Sequence, residues 1–388
     1  MTTETSATGS AIPFPATINA LTSLRYIAAF WVLIFHFKEF FPDSILVDVE
    51  PLRLGFLGVD FFFVLSGFVL AHVYLKKMEA RRFDYWSFIV RRVARIYPLH
   101  LLTLGLTIGL SILGLALGWQ YSLWDLAAWR DMPLPQTFRE LFAHVMLIHA
   151  WGATQGLGFN APSWTISAEW FAYLFFPVMA LALTFRKFPA WAGVIICLIL
   201  MAGLELVHQQ FFDRSLFRST WNIGALRIIP TFALGIALRR VGEGFSFGSS
   251  LAFPAFLASF AALALLLVVS APLILIVLAL SAIVFTAADA ERHGHLALLC
   301  KPFPVLMGEI SYSVYLIHYP VGIVLLDIFV RPLGISSLWG SLAWIFAAAI
   351  GITILSWLSH KFFEAPARRL LIAAGKRGQP ELAPPPDK

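Results

Sequence analysis

Uninterrupted apolar stretches of about twenty residues recur along this chain, and no other feature limits its fold so strongly. A twenty-residue helix is about 30 Å long, the thickness of a bilayer's hydrocarbon core. Stretches that fit a span fall at 20–40, 56–76, 97–118, 165–185, 189–208, 221–239, 251–270, 272–288, 303–328 and 338–362. The expectation is an all-α polytopic membrane bundle of about ten transmembrane helices. Only 13% of the 388 residues are charged, against about 25% in a soluble domain. The segment 138–151 is too short for a span and reads as a partial or interfacial helix. The first residues carry no basic n-region, so the first span is expected to act as an uncleaved signal.

Basic residues cluster after alternate spans: Lys76, Lys77, Arg81, Arg82, Arg91, Arg92 and Arg95, then Arg186 and Lys187, then Arg239 and Arg240. More follow the last span, at Arg368, Arg369, Lys376 and Arg377. The positive-inside rule puts these clusters, and both termini, in the cytoplasm. The longest loop, about 119–164, then faces outward. The expected organisation is a cytoplasmic N-terminal tail (1–17), a membrane domain (18–370) and a disordered cytoplasmic tail (371–388). The formal net charge of +6 is accounted for by this asymmetry, and nucleic acid is not an expected partner. Cys197 and Cys300 stand far apart with no CxxC or CxxH cluster, so no metal site is expected.

Ionisable groups inside a bilayer are costly, so each is a functional candidate. Arg25 and His36 lie at opposite ends of the first span. Their separation is about 16 Å of helical rise and about three turns, which puts them on roughly one face. Asp60 opens the second span, and Trp164, Ser167 and Glu169 fall in the outer turns of the fourth. Three helices thus carry His36, Asp60 and Glu169 toward one level. A histidine beside a carboxylate suits an oriented general base. The alternatives are an interhelical hydrogen bond for His36 and helix-dipole partners for the carboxylates. Arg91, Arg92 and Arg95 either anchor the cytoplasmic side or, with Arg25, bind an anionic phosphate donor. Ser311, Tyr312, Tyr315 and His318 recur at helical spacing in the ninth span. They suit a channel lining or polar glue between helices. Trp164 and Tyr173 are candidates to pack an acceptor or the transferred group.

At these residues the chain resembles acyltransferase family 3, integral membrane proteins that acylate surface polysaccharides and other extracytoplasmic acceptors. The matching strings are LRYIAAFWVLIFHF (24–37), LGVDFFFVLSGFVLA (57–71), FIVRRVARIYPLHLL (88–102), SWTISAEWFAYLFFP (163–177) and SYSVYLIHYP (311–320). The resemblance implies transfer of an acyl group, usually acetyl, from cytoplasmic acyl-CoA as co-substrate, with no permanently bound cofactor. It implies an acceptor hydroxyl on a glycan or lipid-linked sugar and a place in a bacterial inner membrane. It also implies an essential His36, with Arg25 in the same motif and Arg92 and Arg95 on the donor side. The family's occasional extra C-terminal domain is not expected here. Two other readings stand beside it: a proton-coupled transporter using His36 and Asp60 as a relay, and a membrane scaffold without chemistry.

Overall fold

The structure, a computed structural model, describes residues 12–42, 44–117, 132–184, 189–325 and 330–377. The pair Arg186–Lys187 and most of the Trp- and Pro-rich stretch 119–136 lie outside those residues. Among the described residues, ten helices of twenty residues or more form the bundle: α1 (Asn19–Lys38), α2 (Gly58–Glu79), α3 (Tyr85–Leu117), α5 (Trp164–Leu183), α6 (Ala190–Phe212), α7 (Gly224–Gly244), α8 (Gly248–Val268), α9 (Leu273–Arg292), α10 (Pro302–Leu325) and α11 (Leu338–Ser359). Two shorter helices complete the numbering, α4 (Leu134–Val145) and α12 (Ala365–Arg377). Eight of the long helices are apolar enough to cross a membrane. The other two carry buried polar residues, Arg227, Thr231 and Arg239 on α7 and Ser311, Ser313 and His318 on α10.

α7 lies at the middle of the molecule, packed on α2, α5 and α6. Its crossing with α2 is close enough to require glycine on both sides. A Cβ on Gly67 would sit 2.0 Å from the Phe232 carbonyl oxygen, and one on Gly235 would sit 2.0 Å from that of Val64. Small residues let helix backbones approach in this way. α1 packs on α10 and α2, and α1 and α10 run parallel. Gly308 abuts the Thr22 backbone at one end, and His318 meets His36 toward the other. The two ends of the bundle are called proximal, where both described termini lie, and distal.

Carboxylates inside the bundle take up backbone amides at helix starts and turns. Glu291 accepts the Asn19 and Ala20 amides at the start of α1 (2.9 and 2.7 Å), which supplies the cap that Ile18 lacks. On α6, Glu205 accepts the Leu216 amide at 2.8 Å.

α4 is twelve residues long, about 18 Å and too short to span. It agrees with the partial helix expected at 138–151. Leu134, Phe138, Phe142 and Met146 are exposed along one stripe, while Glu140, Ala143 and His144 are buried opposite. A kinked turn over His149–Ala153 follows, with Gly152 at φ 80°. Ser167 on α5 fastens it: its hydroxyl accepts the Ala150 amide and donates to the Leu147 carbonyl, at 3.0 and 2.8 Å. This turn delivers Pro162 and Trp164 into the distal half of the bundle. At the other end the tail expected to be disordered from 371 continues as α12 through Arg377. That helix packs on α3.

Candidate active site

Three cavities follow one another between α1, α2, α3, α5 and α10. The proximal cavity, about 550 Å³, is walled by Arg25 of α1, Arg95 of α3, Arg368 and Arg369 of α12, with Glu309, Tyr312 and Glu364. A middle cavity of about 40 Å³ shares Arg25 and Tyr312 with it and adds Ser66, Thr165, Glu169, Ser311 and Tyr315. The distal cavity, about 220 Å³, shares Tyr315 with the middle one and is lined by Phe35, His36, Phe56, Trp164, Arg218 and Arg227.

Arginines dominate the proximal cavity because α1, α3 and α12 each bring one turn of basic residues to the same end. The Nε atoms of Arg25 and Arg92 are buried without a hydrogen-bond partner. Arg92 lies with its guanidinium over the rings of Phe88 and Tyr173, 5.8 and 5.6 Å from their centroids. A buried donor without an acceptor is costly, so Arg25, which lines the polar cavity, suits an anionic group; Arg92 lines none of the three cavities. Arg91, named with the others from the sequence, is exposed on the far side of its turn. Arg368 and Arg369 were read from the sequence only as tail charges.

Glu169 and His36 do not share a cavity. Glu169 is five residues into α5, about 7.5 Å below its distal start. There it accepts hydrogen bonds from Ser66 and Tyr173, each at 2.5 Å, and faces Arg25 across the middle cavity. Tyr173 therefore positions Glu169. Ser311 donates to the Gly308 carbonyl at 2.7 Å. Tyr312 donates to the Ile96 carbonyl at 2.6 Å. Tyr315 donates to the Pro162 carbonyl and accepts from Thr165, both at 3.1 Å.

His36 faces His318. The His318 Nε2 lies 3.1 Å from His36 Nδ1, which is also 3.0 Å from the Val32 carbonyl. His318 Nδ1 is 3.2 Å from the Val314 carbonyl. One tautomer assignment serves all three contacts when both rings are neutral. His318 donates from Nδ1 to Val314, and its Nε2 lone pair accepts from His36 Nδ1–H. His36 then carries its lone pair on Nε2, the atom a general base uses.

Asp60, expected beside His36, is instead held by Arg227. The Arg227 Nε and Nη2 donate to its two carboxylate oxygens at 3.1 and 2.5 Å, and both residues are essentially inaccessible to solvent. A carboxylate this deep needs a full counter-charge, and α7 brings one because it crosses α2 so closely. Arg227 is the principal residue that reading the sequence passed over. An arginine inside the span at 221–239 was itself a signal, and an unpaired intramembrane aspartate called for a cation. Trp164 lines the distal cavity with its ring 5.1 Å from the Arg227 guanidinium.

The chain is similar to known proteins over most of its length. A sequence profile described as an acyltransferase domain matches residues 18–361. Acyltransferase MdmB of Streptomyces mycarofaciens is 27% identical across 95% of this chain and 95% of its own. A protein of Staphylococcus aureus (strain COL) named for O-acetyltransferase activity is 26% identical over 57% of this chain and 34% of its own. No solved structure matches. With a polytopic helical bundle and a profile match across nearly the whole chain, this protein belongs to acyltransferase family 3, the membrane O-acyltransferases.

Proposed function

We propose that this membrane O-acyltransferase takes an acyl group, acetyl in the first instance, from acyl-CoA at its proximal, cytoplasmic end. It passes the group to a hydroxyl of a carbohydrate-type acceptor at the distal, extracytoplasmic end, in a bacterial inner membrane. One observation carries this reading. The arginine-lined cavity and the His36–His318 pair are joined by a third cavity that shares walls with both.

The roles follow from chemistry. CoA's phosphates are anionic and match the buried guanidinium donor of Arg25 and the arginines at 95, 368 and 369. Its pantetheine arm is thin and neutral, suited to the narrow passage between Phe62, Tyr315 and Ser66. At about 40 Å³ the middle cavity holds roughly one water. Passage of the arm therefore requires Phe62 and Tyr315, whose rings meet edge to face with centroids 6.1 Å apart, to swing aside. In the distal cavity His36 Nε2 takes the acceptor's hydroxyl proton as its oxygen attacks the thioester carbonyl. His318 and the Val32 carbonyl hold the other ring nitrogen. The bulky aromatic walls, Phe35, Phe56 and Trp164, suit the apolar faces of a sugar ring, which points to surface polysaccharide or a lipid-linked sugar. Asp60 gives both carboxylate oxygens to Arg227, which favours acyl transfer over a His36–Asp60 proton relay.

The test is release of free CoA from acetyl-CoA by the purified protein in lipid nanodiscs, with mixed glycans as acceptors. Wild type should turn over. His36→Ala should fall by about 10²–10⁴-fold, the usual contribution of a general base. Full acylation by a well-expressed His36→Ala protein would sink the reading.

A further inference from the structure

Arg227 does more than neutralise Asp60. A guanidinium has five N–H donors. Three are used: Nε and one Nη2 proton on Asp60, and one Nη1 proton on the Ser219 carbonyl at 3.1 Å. One proton on each Nη is left without an acceptor on a side chain that is 1% exposed. Arg227 also forms part of the wall of the distal cavity, the one that holds His36. Leaving charged N–H groups unsatisfied in a buried site is expensive, and the cavity is where an acceptor would have to come from. The guanidinium cannot drift, because Asp60 grips it from α2, Ser219 from the loop before α7, and Trp164 lies over it.

We infer that Arg227 is the oxyanion-binding residue of the transfer step. The inference rests on the reading of His36 as base. As the acceptor's O–H proton goes to His36 Nε2, the oxygen forms a bond to the thioester carbonyl carbon. The carbonyl π pair moves onto its oxygen, and the two open N–H groups of Arg227 hold that negative charge. Collapse of the intermediate re-forms the C=O bond and breaks the C–S bond. The thiolate of CoA leaves and takes the proton back from His36, so an ester and free CoA are the only products. The Asp60–Arg227 pair is neutral overall, so it can be buried before substrate arrives, yet its donors are fixed where charge develops. Preorganised donors of this kind act on the transition state and leave ground-state binding nearly unchanged.

Two variants test this. Arg227→Lys keeps a cation on Asp60 but loses the fork. Asp60→Asn with Arg227→Gln keeps a neutral, hydrogen-bonding pair between α2 and α7. Each is purified in nanodiscs and assayed for acetyl-CoA affinity and for kcat, with His36→Ala in parallel. The expected result is unchanged acetyl-CoA affinity with kcat lowered about 10²–10³-fold, the size seen when one oxyanion donor is removed. A folded variant with kcat within about threefold of wild type would overturn the inference. His36→Ala separates the two ideas: activity in that protein removes the base, while inactivity there with activity in the Arg227 variants removes only the oxyanion role. Should both variants misfold, the wild type still decides. The carbonyl stretch of bound ¹³C-acetyl-CoA, recorded by infrared difference without acceptor, should move to lower frequency than in water, and an unshifted band would overturn the inference.

Discussion

In the proposed reaction His318 acts through one nitrogen. Its Nε2 lies 3.1 Å from His36 Nδ1, and with the neutral tautomers assigned above it accepts from that nitrogen and keeps the His36 lone pair on the opposite side of the ring. A glutamine carbonyl can accept that proton and a phenyl ring cannot. His318→Gln should therefore hold kcat within about tenfold of wild type, and His318→Phe should lose about 10²-fold, as orienting partners typically do. Equal losses in CoA-release assays would show that His318 only fills space. Glu169 makes a second case. Tyr173→Phe removes one of its two donors and leaves the carboxylate free to turn toward Arg25. Acetyl-CoA turnover should fall with little effect on thermal stability, because Ser66 still holds the group. The candidates themselves were legible in the sequence, since His36, Asp60, Arg25 and Glu169 are polar groups in apolar runs and each is costly there. Their partners were not. Which carboxylate serves which cation depends on which helix faces which, and a spacing argument fixes depth along one helix only.

Helix boundaries were legible for the same reason that they are stable: a bilayer's thickness sets both. Read at 20–40 and 56–76, the first two spans lie close to α1 at Asn19–Lys38 and α2 at Gly58–Glu79. Crossing partners were less visible. The reciprocal contact of Gly67 and Gly235 between α2 and α7 needs the fold. Because a Cβ on Gly235 would meet the Val64 carbonyl at 2.0 Å, Gly235→Val must push α2 and α7 apart. Overpacking of this kind costs about 1–3 kcal/mol. The displacement also loosens the Asp60–Arg227 pair on the same two helices. The expected outcome is a lower unfolding temperature in detergent together with reduced turnover, whereas unchanged stability would mean the crossing is compliant. α12 shows how the sequence misleads in the other direction. Its composition reads as tail, yet Arg368 and Arg369 close the proximal cavity because α12 folds back on α3.

Taken as a whole, the molecule joins a roomy basic cavity to a smaller aromatic one through a passage that is nearly shut. The proposed reading separates donor binding from acyl transfer in space, and a block placed between them should separate them in an assay. Ser311 lines the narrow middle cavity, is fully buried, and gives its hydroxyl only to its own helix. Ser311→Phe fills that cavity, whose wall includes Arg25 and Tyr312 of the proximal cavity but not Arg95, Arg368, Arg369 or either histidine. If the acyl group travels through the protein, this variant should still bind acetyl-CoA through Arg95, Arg368 and Arg369 and transfer nothing. Arg95→Ala and Arg368→Ala should do the reverse. They weaken acetyl-CoA binding, increasingly as salt is lowered toward conditions where the wild type gains most from its charges, and leave kcat at saturating donor nearly intact. Binding is read by calorimetry and transfer by CoA release, both in nanodiscs. Normal transfer by a folded Ser311→Phe protein would mean that donor and acceptor meet by some other route. The volumes favour the passage: the proximal cavity, about 550 Å³, suits the charged part of a CoA. The distal one, about 220 Å³, suits an acyl thioester and one sugar hydroxyl. Only the middle one has to change shape for the reaction to run.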